Sequence, residues 1–271
     1  MLILTRKGRQ MLSGSYRLKR LHANERIAID HIALLLRNTY HTQVSGFFIY
    51  HDPSYAKYLR MASLDEDNFW IYQLIDPLGE QMLAFAILTR KERDIFLNQI
   101  VVLEHFRGGN LAATLLSGIL GLLLEKYGND EFSSLKLETF YSNQRAMAIY
   151  QHWKMEASPG KNWYLNKVPE HDNQLQKAIT TCSTITDPYG FLQLYANNNP
   201  MGTVINGDRA RINGAHIDDA KILIKYLNGQ MGISKICLVA EQQLQLPLID
   251  RTITYSLGIS ELRDMLSTTK L

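Results

Sequence analysis

Residues 100–116 read Ile100-Val-Val-Leu-Glu-His-Phe-Arg-Gly-Gly-Asn-Leu-Ala-Ala-Thr-Leu-Leu116 and decide the fold. An apolar run typical of a buried strand passes through a glycine pair directly into an apolar helix. Glycines allow close approach to the backbone, and the free amides at a helix start attract anions with the help of the helix dipole. Arg107 adds a charge that can bind a phosphate through two nitrogens. The stretch therefore predicts an anion site, although a strand-to-helix turn without a ligand has the same pattern.

A second informative stretch, residues 137–155, reads Leu137-Glu-Thr-Phe-Tyr-Ser-Asn-Gln-Arg-Ala-Met-Ala-Ile-Tyr-Gln-His-Trp-Lys-Met155. It predicts a strand that ends at Phe140 and a helix over residues 143–153, which Asn143 would cap. The sequence contains neither G-x-x-x-x-G-K-[ST] nor G-x-G-x-x-G with an acidic residue about 20 positions later. These absences argue against the P-loop and Rossmann classes.

Working outward, hydrophobic periodicity and turn residues predict eight further elements between residues 16 and 168. Helices are expected over residues 25–37, 54–62 and 111–127, the last ended by Gly128. Strands are expected over residues 16–21, 69–75, 81–89, 95–103 and 163–168. Strict alternation along the strand 95–103 would place Asn98, Ile100 and Val102 on one face. The pattern indicates a mixed α/β domain over residues 1–169.

A polar stretch, residues 170–188, is interpreted as a linker to a smaller C-terminal α/β domain, residues 189–271. In this domain we expect strands over 190–195, 202–212, 235–239 and 259–266, and helices over 217–227 and 248–255. The helix start at residues 214–219 lacks a basic glycine loop and contains Asp218 and Asp219, which would repel a phosphate. The C-terminal domain is therefore not expected to bind a nucleotide.

Composition narrows the function class. The chain has 271 residues, a net charge of +3 and two cysteines, Cys182 and Cys237, in neither a metal-type nor a redox-type spacing. Nucleic-acid-binding proteins usually have a basic stripe with interleaved aromatic residues, and the sequence contains no such stripe. The longest apolar run, residues 111–124, is too short to span a bilayer, and the N-terminus lacks a signal-peptide core. We expect a cytoplasmic protein without a metal, a nucleic-acid partner or a membrane partner.

The two stretches together resemble the GNAT (GCN5-related N-acetyltransferase) superfamily. Arg107-Gly-Gly-Asn-Leu-Ala112 is similar to the family pattern Arg/Gln-x-x-Gly-x-Gly/Ala, with Asn110 at the first glycine. Asn tolerates left-handed backbone geometry better than most residues. The later family motif matches at Asn143, Ala146, Ile149 and Tyr150, whereas its Gly-Phe pair is replaced by Lys154-Met155. The implied fold is a GNAT-like mixed central sheet flanked by helices, and the C-terminal domain resembles a degenerate GNAT half.

The resemblance also implies a cofactor site for acetyl-CoA. Amides of residues 109–112 would hold the pyrophosphate, and the backbone of Val101, Val102 and Leu103 would pair with the pantetheine arm like an added strand. The complete expected set of cofactor-binding residues is Val101, Val102, Leu103, Arg107, Gly108, Gly109, Asn110, Leu111, Ala112 and Asn143.

The expected chemistry is attack of a neutral amine on the thioester. A Tyr phenol, with a pKa of about 10, can protonate a thiolate whose conjugate pKa is about 8.5. Tyr150 is the candidate general acid; the alternative is a packing role. No base is identified, because Glu104 and His105 read as turn residues and His41 and His51 as surface residues. The aromatic residues Phe47, Phe48, Tyr50, Tyr55 and Tyr58 would line an acceptor pocket or belong to the core.

The sequence thus predicts an acetyl-CoA-dependent N-acetyltransferase that acts on a primary amine of a small molecule or a protein. The alternative is a non-catalytic GNAT-fold protein that binds CoA or regulates a partner, which the departures at Asn110 and Lys154 keep open. The C-terminal domain would complete the acceptor site or support a homodimer.

Overall fold

The computed structural model describes residues 3–4, 10–11, 16–39, 43–79, 81–166, 181–214, 217–244 and 246–262. Short 3-10 turns lie at Ser45–Phe47, Ile49–His51 and Glu104–Phe106. The helices are α1 (Arg26–Thr39), α2 (Tyr55–Ala62), α3 (Leu111–Tyr127), α4 (Gln144–His152) and α5 (Ile217–Met231). The strands are β1 (Ile3–Leu4), β2 (Gln10–Met11), β3 (Arg17–Leu21), β4 (Phe69–Ile75), β5 (Met82–Lys91), β6 (Asp94–Val102), β7 (Ser134–Phe140), β8 (Glu156–Asn166), β9 (Cys182–Thr186), β10 (Leu192–Ala196), β11 (Asn199–Ile205), β12 (Arg209–Asn213), β13 (Lys235–Ala240) and β14 (Leu248–Gly258).

One mixed sheet of twelve strands organises the described chain, in the order β3-β4-β5-β6-β7-β14-β8-β13-β12-β11-β10-β9. Two pairs are parallel, β6 with β7 and β12 with β13, and the other neighbours are antiparallel. Each half of the chain thus builds an antiparallel run that ends in a parallel pair. The last strand of each half, β8 or β14, is exchanged: β14 lies beside β7, and β8 lies beside β13. The two exchanged strands pair with each other at the centre of the sheet.

This architecture confirms the predicted fold class, a mixed α/β fold in which a central sheet built from two halves is flanked by helices. The predicted elements of residues 16–153 are present with small shifts of their ends. β8 begins earlier than expected. Pro159-Gly160 is a typical turn signal, but here it lies within the strand, at an irregularity of the β8–β14 ladder. At Gly160 an added Cβ would lie 2.4 Å from Thr252 Oγ1 and 2.7 Å from its carbonyl oxygen, so only glycine fits there.

Three predictions for the C-terminal third were wrong. The expected strand 202–212 is a hairpin, β11–β12, whose turn residues Asn206 and Gly207 have φ of 53° and 71°. Asn-Gly is the typical hairpin turn, so the signal was present in the sequence. The expected helix 248–255 is the strand β14, rich in Thr, Ile and Tyr. The expected strand from residue 259 is helical over residues 259–262, and the remainder lies outside the described residues.

The proposed boundaries at residues 169 and 189 cut across this sheet, because the exchanged strands belong to the opposite halves. β9 occupies part of the expected linker 170–188, whose residues up to 180 lie outside the described residues. The sheet carries one apolar core against α3 and α4, a second against α1 and α2, and a third against α5. A fourth cluster, which includes Phe47, Phe140, Trp163 and Cys237, joins the two halves. No helix among the described residues is both long and apolar enough to cross a membrane.

Candidate functional site

The candidate cavity opens where the parallel strands β6 and β7 separate. Their pairing ends at Leu97 and Leu137, so residues 98–102 of β6 keep β5 on one side and face open space on the other. The cavity has a volume of about 1100 Å³. Ligand pockets commonly measure about 300–1,000 Å³, so this one has room for a long ligand and a second, smaller one.

A β-bulge at Asn98 changes the faces that β6 presents. Leu97 pairs with Leu88 and Gln99 with Ile87, which leaves Asn98 as the extra residue. The Asn98 amide donates to Thr89 Oγ1 at 3.0 Å. Ile100 and Val102, in contrast, pack into the core on the α3 side. The expectation that Asn98, Ile100 and Val102 share one face was therefore wrong, because a bulge shifts the alternation by one residue.

The loop before α3 presents a row of backbone amides. Gly108 and Asn110 have φ of 88° and 58°, and Asn110 is the residue that starts the helix. The left-handed geometry expected at Asn110 is confirmed. The first backbone hydrogen bond into the helix runs from Thr114 N to Asn110 O. Among the described residues, no backbone carbonyl accepts a hydrogen bond from the amides of residues 108–113. Such a row at a helix start is a common binding site for phosphate.

Most residues of the expected cofactor site line the cavity. Leu103 and Gly109 do not contribute to its wall. Arg107 lies at the loop and donates from Nε to Val102 O at 3.2 Å, which holds the loop against the end of β6. The expected residues that do line the cavity are Val101, Val102, Arg107, Gly108, Asn110, Leu111, Ala112 and Asn143.

Helix α4 brings Asn143 and Tyr150 to the same cavity. Asn143 caps the helix, and its Oδ1 accepts from Ala146 N at 3.2 Å, as expected. Tyr150 lines the cavity and is 8% exposed. Its ring packs 5.6 Å from that of Trp153 and 5.3 Å from that of Tyr255. Since Tyr255 belongs to β14, the last strand of the described chain helps to fix the candidate acid.

Lys154, the second departure from the family motif, has a left-handed backbone geometry that glycine adopts most readily. It has a φ of 58° and ends α4. The amide of Lys154 donates to Gln151 O at 2.9 Å, and that of Met155 donates to Tyr150 O at 3.1 Å. These two bonds form a Schellman motif, in which the left-handed residue is usually glycine. Met155 is buried beneath the helix, where the family motif has a phenylalanine.

Glu138 is a candidate site residue that the sequence interpretation missed. It lies at the end of β7 and is the one carboxylate among the described residues that line the cavity. Thr252 of β14 donates a short hydrogen bond to Glu138 Oε1 and accepts one from Lys161 N at 2.7 Å. Glu138 falls within the quoted motif, but its approach to the cavity depends on the separation of β6 and β7, which no local pattern encodes.

Aromatic side chains form another part of the cavity wall. Of the expected aromatic set, Phe47 is buried in the cluster that joins the halves and does not line the cavity, whereas the other members do. The ring of Phe48 lies 5.4 Å from that of Trp163, and the ring of Phe140 lies 5.1 Å from it. Arg211 of β12 completes this wall. The cavity-lining aromatic residues of the expected set are Phe48, Tyr50, Tyr55 and Tyr58.

The remaining candidates lie elsewhere. His51 does not line the cavity; burial lowers the pKa of His51, and Arg209 and Arg37 lower it further. His41 lies outside the described residues. Glu104 and His105 form the turn after β6, away from the cavity wall. Within the described ranges, no group of three or more His, Cys, Asp or Glu side chains is arranged to hold a metal ion.

A comparison with protein families bears on this site directly. Residues 35–155 match the model of the acetyltransferase (GNAT) family. This part of the chain is thus similar to a GNAT domain. The matched residues include β6, the amide loop, α3, β7 and α4, which are the elements that surround the cavity. The exchanged strand β14 and the wall residue Arg211 lie outside the matched range.

Solved structures extend the similarity beyond the matched residues to the complete two-half fold. A tandem GNAT protein from the clavulanic acid biosynthesis pathway has 10% identity and a TM-score of 0.65, with 90% of this chain and 99% of that chain covered. A GCN5-related N-acetyltransferase from Sphaerobacter thermophilus has 10% identity and a TM-score of 0.52, with 92% and 97% covered. At these identities the similarity shows the fold alone. No curated protein sequence matches the chain.

Proposed function

We propose that this protein transfers an acetyl group from acetyl-CoA to a primary amine by direct attack of the amine on the thioester. One observation carries the proposal: a single cavity joins an amide loop suited to a pyrophosphate with Tyr150 and Glu138, a proton donor and a proton acceptor. The match of residues 35–155 to the model of an acetyltransferase family agrees with this chemistry.

The cofactor half of the cavity fits acetyl-CoA in three respects. The amides of residues 108–113 and the Arg107 side chain suit the pyrophosphate. The open edge of β6 over residues 98–102 offers backbone groups to the amides of the pantetheine arm, as an added strand would use them. The cavity volume accommodates the arm together with an acceptor.

The reaction needs two proton transfers, and the cavity supplies one group for each. Glu138 takes a proton from the attacking ammonium, directly or through a water molecule, so that a neutral amine reaches the carbonyl carbon. As the C–N bond forms and the C–S bond breaks, Tyr150 donates its phenolic proton to the departing thiolate. Thr252 and Tyr255 of β14 hold these two groups in place.

The test follows thiol release from acetyl-CoA with a panel of primary amines and detects the acetylated product by mass. Tyr150→Phe keeps the ring packing but removes the proton, so kcat should fall about 10²–10⁴-fold while acetyl-CoA affinity stays unchanged. Glu138→Gln should lower the rate at neutral pH and shift activity to higher pH, where more of the amine is neutral.

Matched controls are Tyr141→Phe and Glu156→Gln, which change exposed side chains outside the cavity wall. If chemistry is limiting and kcat of Tyr150→Phe stays within about threefold of the parent, Tyr150 is not the acid. Binding of acetyl-CoA without acetylation of any amine would favour the non-catalytic alternative. The two departures that supported this alternative, Asn110 and Lys154, both have left-handed backbone geometry, which glycine adopts most readily.

A further inference from the structure

Two buried hydrogen-bond donors on the cavity wall have no partner in the described part of the chain. They are Nε of Arg211 and Nε1 of Trp163. The guanidinium carbon of Arg211 lies 5.9 Å from the centre of the Trp163 ring, so both donors belong to one region. Buried donors are nearly always satisfied in folded proteins, and an unsatisfied pair in a ligand cavity calls for a ligand that accepts hydrogen bonds.

Among the described residues, the charge of Arg211 also lacks a direct counter-ion. Neither Arg211 nor Glu138 takes part in an ion pair among the described residues. Burial lowers the pKa of the Arg211 guanidinium. The nearby thiol of Cys237 cannot neutralise it, because burial raises the pKa of Cys237 to about 12 and keeps the thiol uncharged at neutral pH. Arginine stays protonated under these conditions.

The cavity therefore carries charges of opposite sign on different elements. Glu138 is fixed on β7 by Thr252, and Arg211 projects from β12 of the C-terminal half. The two groups interact electrostatically without direct contact. Such a pair matches a molecule that carries both an ammonium and a carboxylate, since each end meets the charge that stabilises it.

We propose that the acetyl acceptor is an amine that also carries a carboxylate, with the α-amino acids as the simplest members of the class. This inference rests on the proposed acetyl transfer. The carboxylate accepts hydrogen bonds from Arg211 and Trp163, and the amine lies next to Glu138. Phe48 and Phe140, which pack against Trp163, favour an acceptor with an apolar or aromatic side chain. The C-terminal half thus selects the acceptor by means of Arg211.

The first experiment compares acceptors that differ only in the carboxylate: phenylalanine, phenylalaninamide and 2-phenylethylamine, with rates corrected for the fraction of neutral amine. Loss of a charge-assisted hydrogen-bonded pair lowers kcat/KM by about 10- to 100-fold, and we expect that difference between phenylalanine and each of the other two. Equal or better turnover of 2-phenylethylamine overturns the proposal, as does a preference for O-phosphoethanolamine over every carboxylated amine.

The second experiment removes the charge with Arg211→Met. We expect kcat/KM for phenylalanine to fall about 10- to 100-fold, with 2-phenylethylamine turnover and acetyl-CoA affinity unchanged. The fold should survive, because the substitution removes an unpaired buried charge. The matched control is Arg209→Met on the same strand; Arg209 pairs with Asp208 and does not line the cavity. Equal loss in both variants, or loss of turnover of both amines, overturns the assignment of Arg211.

A third measurement separates this inference from the proposed reaction. If the parent acetylates no amine, the proposed function fails, and calorimetry with N-acetylphenylalanine and the CoA-loaded protein then tests the anion site alone. Binding that Arg211→Met weakens by about 10-fold or more supports the site. Binding that is absent, or that does not depend on Arg211, contradicts it.

Discussion

The two halves of the sheet have the same strand pattern but differ at the turn that follows the first strand of the parallel pair, β6 or β12. In the N-terminal half, β6 leads through Arg107, Gly108 and Gly109 into α3, and the amides of the two glycines have no backbone acceptor among the described residues. In the C-terminal half, residues 214–216 join β12 to α5 without an arginine or a glycine pair. Only residues 241–247 separate β13 from β14, too few for a counterpart of α4.

The comparison shows that the two halves contribute different parts of the candidate site. The N-terminal half contains the loop and the helix that suit cofactor binding and proton transfer. The C-terminal half contributes Thr252 and Tyr255, which hold Glu138 and Tyr150, and Arg211, which lines the cavity. Its role in the proposed reaction is thus to complete and shape a site whose reacting groups lie in the other half.

Removal of the exchanged strand β14 should have the largest effect on stability and on cofactor binding. A fragment of residues 1–169 lacks β14, which leaves β7 and β8 without the strand between them. We expect no cooperative thermal unfolding by circular dichroism and no acetyl-CoA binding by calorimetry, since unpaired strands at the centre of a sheet expose both apolar faces and backbone groups.

A fusion provides the matched control for this fragment. Leu248 pairs with Tyr164 near the end of β8, so a short glycine-serine linker can join residue 166 to residues 248–271 as a hairpin. We expect this fusion to regain cooperative unfolding. A fragment of residues 1–169 that unfolds cooperatively by itself would show that the halves fold independently.

The close approach of the exchanged strands gives the second prediction. In Gly160→Val, the Cβ would lie within 3 Å of the side chain and the backbone of Thr252. We expect the free energy of unfolding to fall by about 3 kcal/mol, the upper end of typical overpacking costs, in denaturant titrations. Activity should fall as well, because Thr252 holds Glu138. Gly121→Val, at an exposed helix position with no atom within 4 Å of the added Cβ, is the control and should change stability by less than about 1 kcal/mol.

The difference between the two helix starts can be tested by cofactor binding. Calorimetry should give one acetyl-CoA per chain, and two would contradict the comparison. Gly109→Val should weaken the affinity about 10- to 100-fold, the loss expected when phosphate hydrogen bonds are blocked. An added Cβ at Gly109 has no neighbour closer than 3.8 Å, so stability should be unaffected and the loss would come from exclusion of the ligand. Unchanged affinity would remove the assignment of this loop.

The smallest expected effect concerns Lys154. A side chain at a φ of 58° costs about 1 kcal/mol relative to glycine, so Lys154→Gly should raise the free energy of unfolding by about that amount. Lys154→Ala keeps the strain and serves as the control. If both variants have the stability of the parent, the left-handed geometry at this position carries no cost.

The sequence by itself determined the local elements of the N-terminal half. The apolar run and glycines of residues 100–116 predict a strand, an anion-binding turn and a helix, because each depends on neighbours in the chain. The same holds for Asn143, whose capping bond to Ala146 is local. The family resemblance added the left-handed position at Asn110 and the choice of Tyr150 as the candidate acid.

Tertiary structure alone decided which distant residues meet. The exchange of β8 and β14 depends on pairing between strands far apart in the chain, and short strands of similar composition do not encode their partners. The bulge at Asn98 shifts the faces of β6, and the separation of β6 from β7 brings Glu138 to the cavity. Arg211 reaches the same cavity only because β12 lies beyond the exchanged strands, so its approach to Glu138 is a property of the assembled sheet.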